Sequence, residues 1–266
     1  MKYFDQHMHT HFSYDSKEQL ENYAKKTEGY LITTEHLDFK NPFINYQDNI
    51  PDYQQQSIEI EKLKVEYGDR FLRGVEVGYH PDDHDQIIAY INQHAFDLLV
   101  LSFHKDGPNE FMDENILQIY HLEKLMQEYF TLMLEGIKAF KQANILAHFD
   151  YGLRMFDVTI DQLAKHEDQL CLIFQEMIKN DMALELNSKS MYRYGNKHLY
   201  EYVIPVYQSV GGQLFSLGSD SHVASDLGLH FDESVALLHQ FGVKELAVYI
   251  KQILHKVPLE NPYSLI

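Results

Sequence analysis

Residues 97–104 read DLLVLSFH. The run is almost continuously apolar, without the in–out alternation of a half-solvated strand. That suits a strand covered on both faces, as in a parallel sheet wrapped by helices. It also ends on a histidine, His104. The same short runs recur along the chain as KYFD (2–5), YLITT (30–34), FLRGVEV (71–77), NILAH (144–148), ALELN (183–187) and QLFSLG (213–218). Longer segments of helical period lie between them, such as HDQIIAYINQH and TIDQLAKHEDQLCLIFQEMIKN. Strands alternating with helices predict parallel strands joined by crossovers. For 266 residues the expected architecture is one closed α/β barrel, with residues 1–266 forming a single domain.

Composition narrows the function. The formal net charge is −18, so the surface repels phosphate backbones, and neither nucleic acid nor a membrane is an expected partner. No apolar run approaches the length of a membrane span, and MKYFDQHMH lacks the pattern of a secretory signal. The single cysteine, Cys171, lies in a helical pattern and fits a reducing cytoplasm. Sixteen histidines make a lone His-x-His weak evidence of anything.

Position is more telling than number. In a parallel α/β barrel, chemistry gathers at the C-terminal strand ends. The first run ends at Asp5 and is followed by His7, His9 and, further on, Asp15; the second leads into Glu35 and His36. The later runs end on Glu76, His104, His148 with Asp150, Asn187, and Asp220 with His222. Strand side chains repeat every two residues, so His7 and His9 point to one side. Imidazoles and carboxylates without thiolates suit zinc, manganese or iron. A carboxylate such as Glu76 can bridge two such ions, which together activate a hydroxide and neutralise a phosphoryl group. Arg154 and Arg193 fall near the same face, where a planar guanidinium fork suits phosphate. His11 is expected to be exposed or to support the ligands, and PDDHD (81–85) to start a helix.

The stretches DQHMHTHFSYDS, TTEHLDF, RGVEVGY, LSFHK, AHFDYGLR, ELNSKSMYRYG and LGSDSHVASDLG follow one another from residue 5 to about residue 228. In order and type they resemble the polymerase and histidinol phosphatase (PHP) superfamily, and within it the histidinol-phosphate phosphatases. The resemblance implies a distorted, TIM-like seven-stranded (β/α)7 barrel with three divalent metal ions. Carried onto this chain, His7, His9, Glu76 and Asp220 would hold the first metal. Glu76 would bridge to a second, held with His104 and His148. Asp15, His36 and His222 would hold the third, Asp15 standing where many members have histidine. Arg154 and Arg193 would clamp the phosphate of a small-molecule monoester, most closely L-histidinol phosphate, and Asn187 would contact the substrate.

The expected reaction is therefore metal-dependent hydrolysis of a phosphate monoester in histidine biosynthesis, with Asp220, His222 and His230 as candidates to protonate the leaving group. Three other readings stay open: a different PHP phosphoesterase acting on phosphotyrosine or nucleotides, a metal-binding protein without turnover, and an amidohydrolase. The sequence leaves oligomeric state open.

Overall fold

The computed structural model describes residues 3–260. Its main sheet contains β1 (Leu31–Asn41), β2 (Gln47–Asn49), β3 (Phe71–Gly78), β4 (Leu98–Ser102), β5 (Ile145–Leu146), β6 (Ala183–Asn187) and β7 (Phe215–Gly218). The strands lie in the order β2-β1-β3-β4-β5-β6-β7. All neighbours are parallel except the short β2, which turns back antiparallel on β1. Helices cover the outside, the longest being Leu122–Ala139 and Tyr53–Tyr67. No described helix is long and apolar enough to cross a membrane.

The expected first strand needs correction. Lys2 lies outside the described residues, and Tyr3–Asp5 form no regular strand. The barrel is closed instead by the extended residues 6–9, which run between β7 and β1. On one side the Gln6 N–H donates to Leu217 O (3.1 Å), the His9 N–H to Ser221 O (2.8 Å) and the Asp220 N–H to His7 O (2.8 Å). On the other, the Thr34 N–H donates to Met8 O (2.8 Å). The Met8 N–H is taken by the Thr34 hydroxyl (3.0 Å), a side-chain partner that interrupts a regular ladder.

Register decides which side chains enter the barrel. Leu72 pairs with Ile32 and Glu76 with His36, so one stripe of alternate residues on each strand faces the interior. That stripe begins apolar, with Ile32, Leu72 and Leu98 fully or nearly buried. Four residues further along it carries His36 and Glu76. The interior thus grades from a packed floor to a polar upper layer.

The floor has a plug absent from the expected strands. β8 (Glu245–Ile250) and β9 (Ile253–Pro258) form an antiparallel hairpin. Ala247 and Tyr249 pack into one cluster with Ile32, Leu72 and Leu98. The Gln6 amide donates to Ala247 O (2.7 Å), and the Tyr249 N–H donates to Gln6 Oε1 (2.8 Å).

Candidate metal centre

Glu76 is the hub of the upper layer and has no solvent exposure. Its Oε1 lies 3.2 Å from His104 Nε2 and 2.9 Å from His148 Nε2. Its Oε2 lies 3.4 Å from His7 Nε2, 3.5 Å from His9 Nε2 and 2.9 Å from His36 Nδ1. One carboxylate therefore faces five imidazoles contributed by the closing segment, the middle of β1 and the residues just after β4 and β5. Further out, Asp15 Oδ2 stands 2.9 Å from His222 Nε2 and 3.5 Å from His36 Nε2. Asp220 Oδ1 lies 3.6 Å from His9 Nε2 and 3.5 Å from His222 Nδ1. All nine residues singled out as metal ligands thus converge.

Four overlapping groups have ligand atoms close enough to share an ion: His7–His9–Glu76, His36–Glu76–His104, His9–His36–His222 and His7–His148–Asp220. The buried atoms His7 Nε2, His9 Nε2, His36 Nδ1 and Glu76 Oε2 make no hydrogen bond. Even His36 Nδ1 and Glu76 Oε2, 2.9 Å apart, are not aligned for one. Buried polar atoms are almost always paired, so four orphans facing one another mark a place built for cations. The donor set fits borderline divalent metals.

The charges agree. Burial opposes ionisation of Glu76, yet His7, His104 and His36 hold its carboxyl well below the usual carboxylate range. Burial disfavours charge on His7 and His36, but Glu185 with Glu76, and Asp15 with Glu76, raise their affinity for a proton well above the ordinary value. His104, against Asp38 and Glu76, is likewise pushed up to about 10 despite burial. The metal-free cluster holds protons where cations would neutralise the same carboxylates.

Residues behind the cluster fix its geometry. Glu185 Oε1 lies 2.7 Å from His7 Nδ1, and Glu185 Oε2 accepts the His148 N–H (2.7 Å). Asp38 Oδ1 lies 3.0 Å from His104 Nδ1. Glu35 accepts from the Thr10 and Ser13 hydroxyls, each 2.6 Å away, and so anchors the loop after His9. Two glycines make room: a Cβ at Gly218 would sit 1.9 Å from Glu185 Oε1, and one at Gly78 1.7 Å from Asp38 Oδ1. Strand-end reasoning reaches neither Glu185 nor Asp38. The available signal is a carboxylate inside an otherwise buried strand.

Beside the cluster stand two cations. Arg154 is buried and reaches Ser190 Oγ (2.8 Å), Asn187 Oδ1 (3.2 Å) and Asp220 Oδ2 (3.4 Å). Its guanidinium lies 4.9 Å from the ring centres of both Tyr151 and Tyr194. Lys189 Nζ is 3.2 Å from Asp220 Oδ1. Burial would raise the Asp220 carboxyl, but Lys189, His7, His222 and Arg154 hold it well below the usual range.

Three expectations change here. Arg193 does not reach the cleft: its side chain is half exposed and pairs with Asp226 at 2.6 Å, so Lys189 supplies the second cation. His230 does not line the cleft: it precedes the helix Phe231–Gln240, with its ring against Tyr192 and 3.0 Å from Glu233. Asn187 is buried and bonds Ser190, Arg154 and Glu185 rather than lining the cleft.

The cleft above the cluster encloses about 170 Å³. Its lining includes Arg154, Lys189 and Tyr194 together with Tyr14, Phe43 and Met112.

The PHP domain family matches residues 5–189 of this chain. A histidinol-phosphatase from Lactococcus lactis is 28% identical over 258 residues, covering 94% of this chain and 95% of the relative. A probable histidinol-phosphatase from Clostridium acetobutylicum is 26% identical, covering 91% and 94%. The crystal structure of the L. lactis histidinol phosphate phosphatase, in complex with zinc, L-histidinol and phosphate, aligns with a TM-score of 0.85 at 26% identity, over 96% of this chain and 99% of that one. A putative histidinol phosphatase from Listeria monocytogenes shares the fold, with a TM-score of 0.68 at 17% identity, over 86% of this chain and 98% of that one.

Proposed function

The chain belongs to the PHP domain family, and from that premise we propose that it is a metal-dependent phosphoric monoester hydrolase that converts L-histidinol phosphate to L-histidinol and phosphate. The observation that carries the reading is the cluster of orphaned ligand atoms around Glu76 with Arg154 and Lys189 beside it. His7, His9, Glu76 and Asp220 would hold one ion. His104 and His148 would share Glu76 with a second, and Asp15, His36 and His222 would hold a third. Zinc is the metal in the L. lactis complex, and manganese or iron suits the same donors.

Divalent ions there supply Lewis-acid polarisation of the phosphoryl group and a nucleophile from water at neutral pH. The chain's own part is orientation and charge. Arg154 is held in place by the neighbouring Tyr151 and Tyr194 rings and by Ser190 and Asn187, so its guanidinium charge is fixed beside the cluster, where it would meet phosphate oxygens. Lys189 adds a second positive charge as negative charge spreads over the transferring group. The leaving alkoxide needs a proton. His230 lies outside the cleft and drops from the three candidates to supply it, while Asp220 and His222 are both engaged in the metal assignment.

The cleft is smaller than the roughly 300–1,000 Å³ of drug-sized sites, which favours a small monoester over a phosphopeptide. The lone cysteine supports a reducing, cytoplasmic setting. The test is phosphate release from L-histidinol phosphate beside an aryl phosphate, a phosphotyrosine peptide and a nucleotide, with zinc or manganese and after chelation. A preference for L-histidinol phosphate that chelation abolishes is expected. Equal rates on all four, or turnover that survives chelation, would overturn the reading.

A further inference from the structure

Asp5 ends the first apolar run of the chain, does not line the cleft, and is nevertheless buried. Its carboxylate accepts four hydrogen bonds. Oδ1 takes the His7 N–H (3.3 Å) and the Ser219 N–H (2.9 Å). Oδ2 takes the Ser219 hydroxyl and the Gly228 N–H (3.0 Å). Three of these four donors lie more than 200 positions further along the chain.

The donors are grouped around the proposed ligands. His7 is one of them. Ser219 directly precedes Asp220, and Ser219 with Gly228 brackets the loop that also carries His222. The Asp220 N–H donates to His7 O (2.8 Å), and ligand atoms of the two residues are close enough to share an ion. Asp220 has a φ of 52°, a left-handed backbone that side chains seldom adopt. Such a conformation persists only where its surroundings over-determine it. Here Asp5 grips the preceding residue by both its N–H and its hydroxyl.

We propose that Asp5 is a positioning residue for the first metal: by clasping Ser219 and Gly228 to the closing segment, it holds Asp220 and His7 as a pair ready for one ion. The inference rests on the proposed assignment of those two residues as ligands. The clasp requires a carboxylate. Both of its oxygens accept, whereas an asparagine amide turns one of them into a donor. That NH2 would face an N–H of Ser219 or Gly228 and leave a buried donor unpaired. A residue that only fills space would tolerate the exchange.

The test is zinc binding by the stripped full-length protein, titrated in competition with a chelating dye, beside urea unfolding of the same variants. Asp5→Asn should weaken the binding of at least one zinc equivalent by about 10–100-fold. Ser219→Ala keeps the carboxylate and the backbone donor, and should weaken it by about two- to tenfold. Because Asp5 acts through Ser219, the double variant should lose less than the product of the two single losses. Leu170→Ala, in the buried face of the helix Glu167–Lys179, destabilises the fold without touching the clasp, and should bind zinc within about twofold of the wild type. Zinc binding unchanged in both clasp variants, or lost equally in Leu170→Ala, overturns the proposal. Should Asp5→Asn not fold, Ser219→Ala against Leu170→Ala decides it. A wild type that takes up no zinc overturns the metal reading itself, a result distinct from unchanged variants of a zinc-binding protein.

Discussion

Removing the metals should destabilise the fold by an amount the cluster itself sets. Four buried ligand atoms, His7 Nε2, His9 Nε2, His36 Nδ1 and Glu76 Oε2, have no hydrogen-bond partner of their own. An unsatisfied buried polar atom costs roughly 1–3 kcal/mol. Protons on His7 and His36, favoured by Glu185, Glu76 and Asp15, offset part of that cost in the metal-free state. The lower end of the range, about 4 kcal/mol for the set, is therefore the expected penalty. It is a large fraction of the roughly 5–15 kcal/mol by which a domain is stable. With a urea slope of about 2–3 kcal/mol/M, the unfolding midpoint should fall by about 1.3–2 M on chelation and return when zinc or manganese is restored. The assay is urea unfolding followed by circular dichroism, with bound metal quantified before and after chelation. Coincident unfolding curves for loaded and stripped protein would refute the argument, because the orphaned atoms would then need no cation.

Three further outcomes follow from particular contacts. Lys189→Ala should lower kcat/KM by at least about tenfold, whereas Arg193→Ala, which removes only a half-exposed ion pair, should stay within about twofold; the reverse order in phosphate-release kinetics would restore Arg193 as the clamp. Gly218→Ala should force Glu185 away from His7 and weaken metal binding by about 10–100-fold in a competition titration with a chelating dye. Glu110 is buried under Tyr151, and burial raises its carboxyl to about 7 from an ordinary 4.5. Between those values the folded state holds a proton that the unfolded chain has released, so this group's contribution to stability falls as pH rises through that window. In metal-free protein, Glu110→Gln should therefore gain on the order of 2–3 kcal/mol relative to the wild type between pH 4.5 and pH 8, measured by urea unfolding; a pH-independent difference would remove Glu110 from this role.

Much of the barrel and its ligand set is legible in the sequence, for a physical reason. Doubly buried strands such as LLVLS are nearly pure runs of apolar residues, and polar groups at their ends stand out against them. The period of two then places His36, Glu76 and His104 in the interior without any tertiary knowledge. What escapes depends on distance in space. Lys189 and Arg193 stand four residues apart in one short segment, and only Asp226, more than thirty residues away, draws Arg193 outward. His230 is separated from His222 by a loop whose path no local pattern sets. The hairpin β8–β9 turns at Lys251 and Gln252, both left-handed, where an Asn-Gly pair would have announced the turn. The closing segment hides for another reason: with a threonine hydroxyl in place of a ladder partner, it works as a strand without the composition of one.

That closing segment bears on how the protein is made. Residues 6–9 find their partners at Leu217, Ser221 and Tyr249, more than 200 positions later in the chain. During synthesis, the earliest imidazoles must wait while almost the whole polypeptide leaves the ribosome. Loop-closure entropy of this kind is met late and slows folding. The first two histidines can therefore be held on their β1 side early, at Thr34, but gain their second wall only once the seventh strand has emerged.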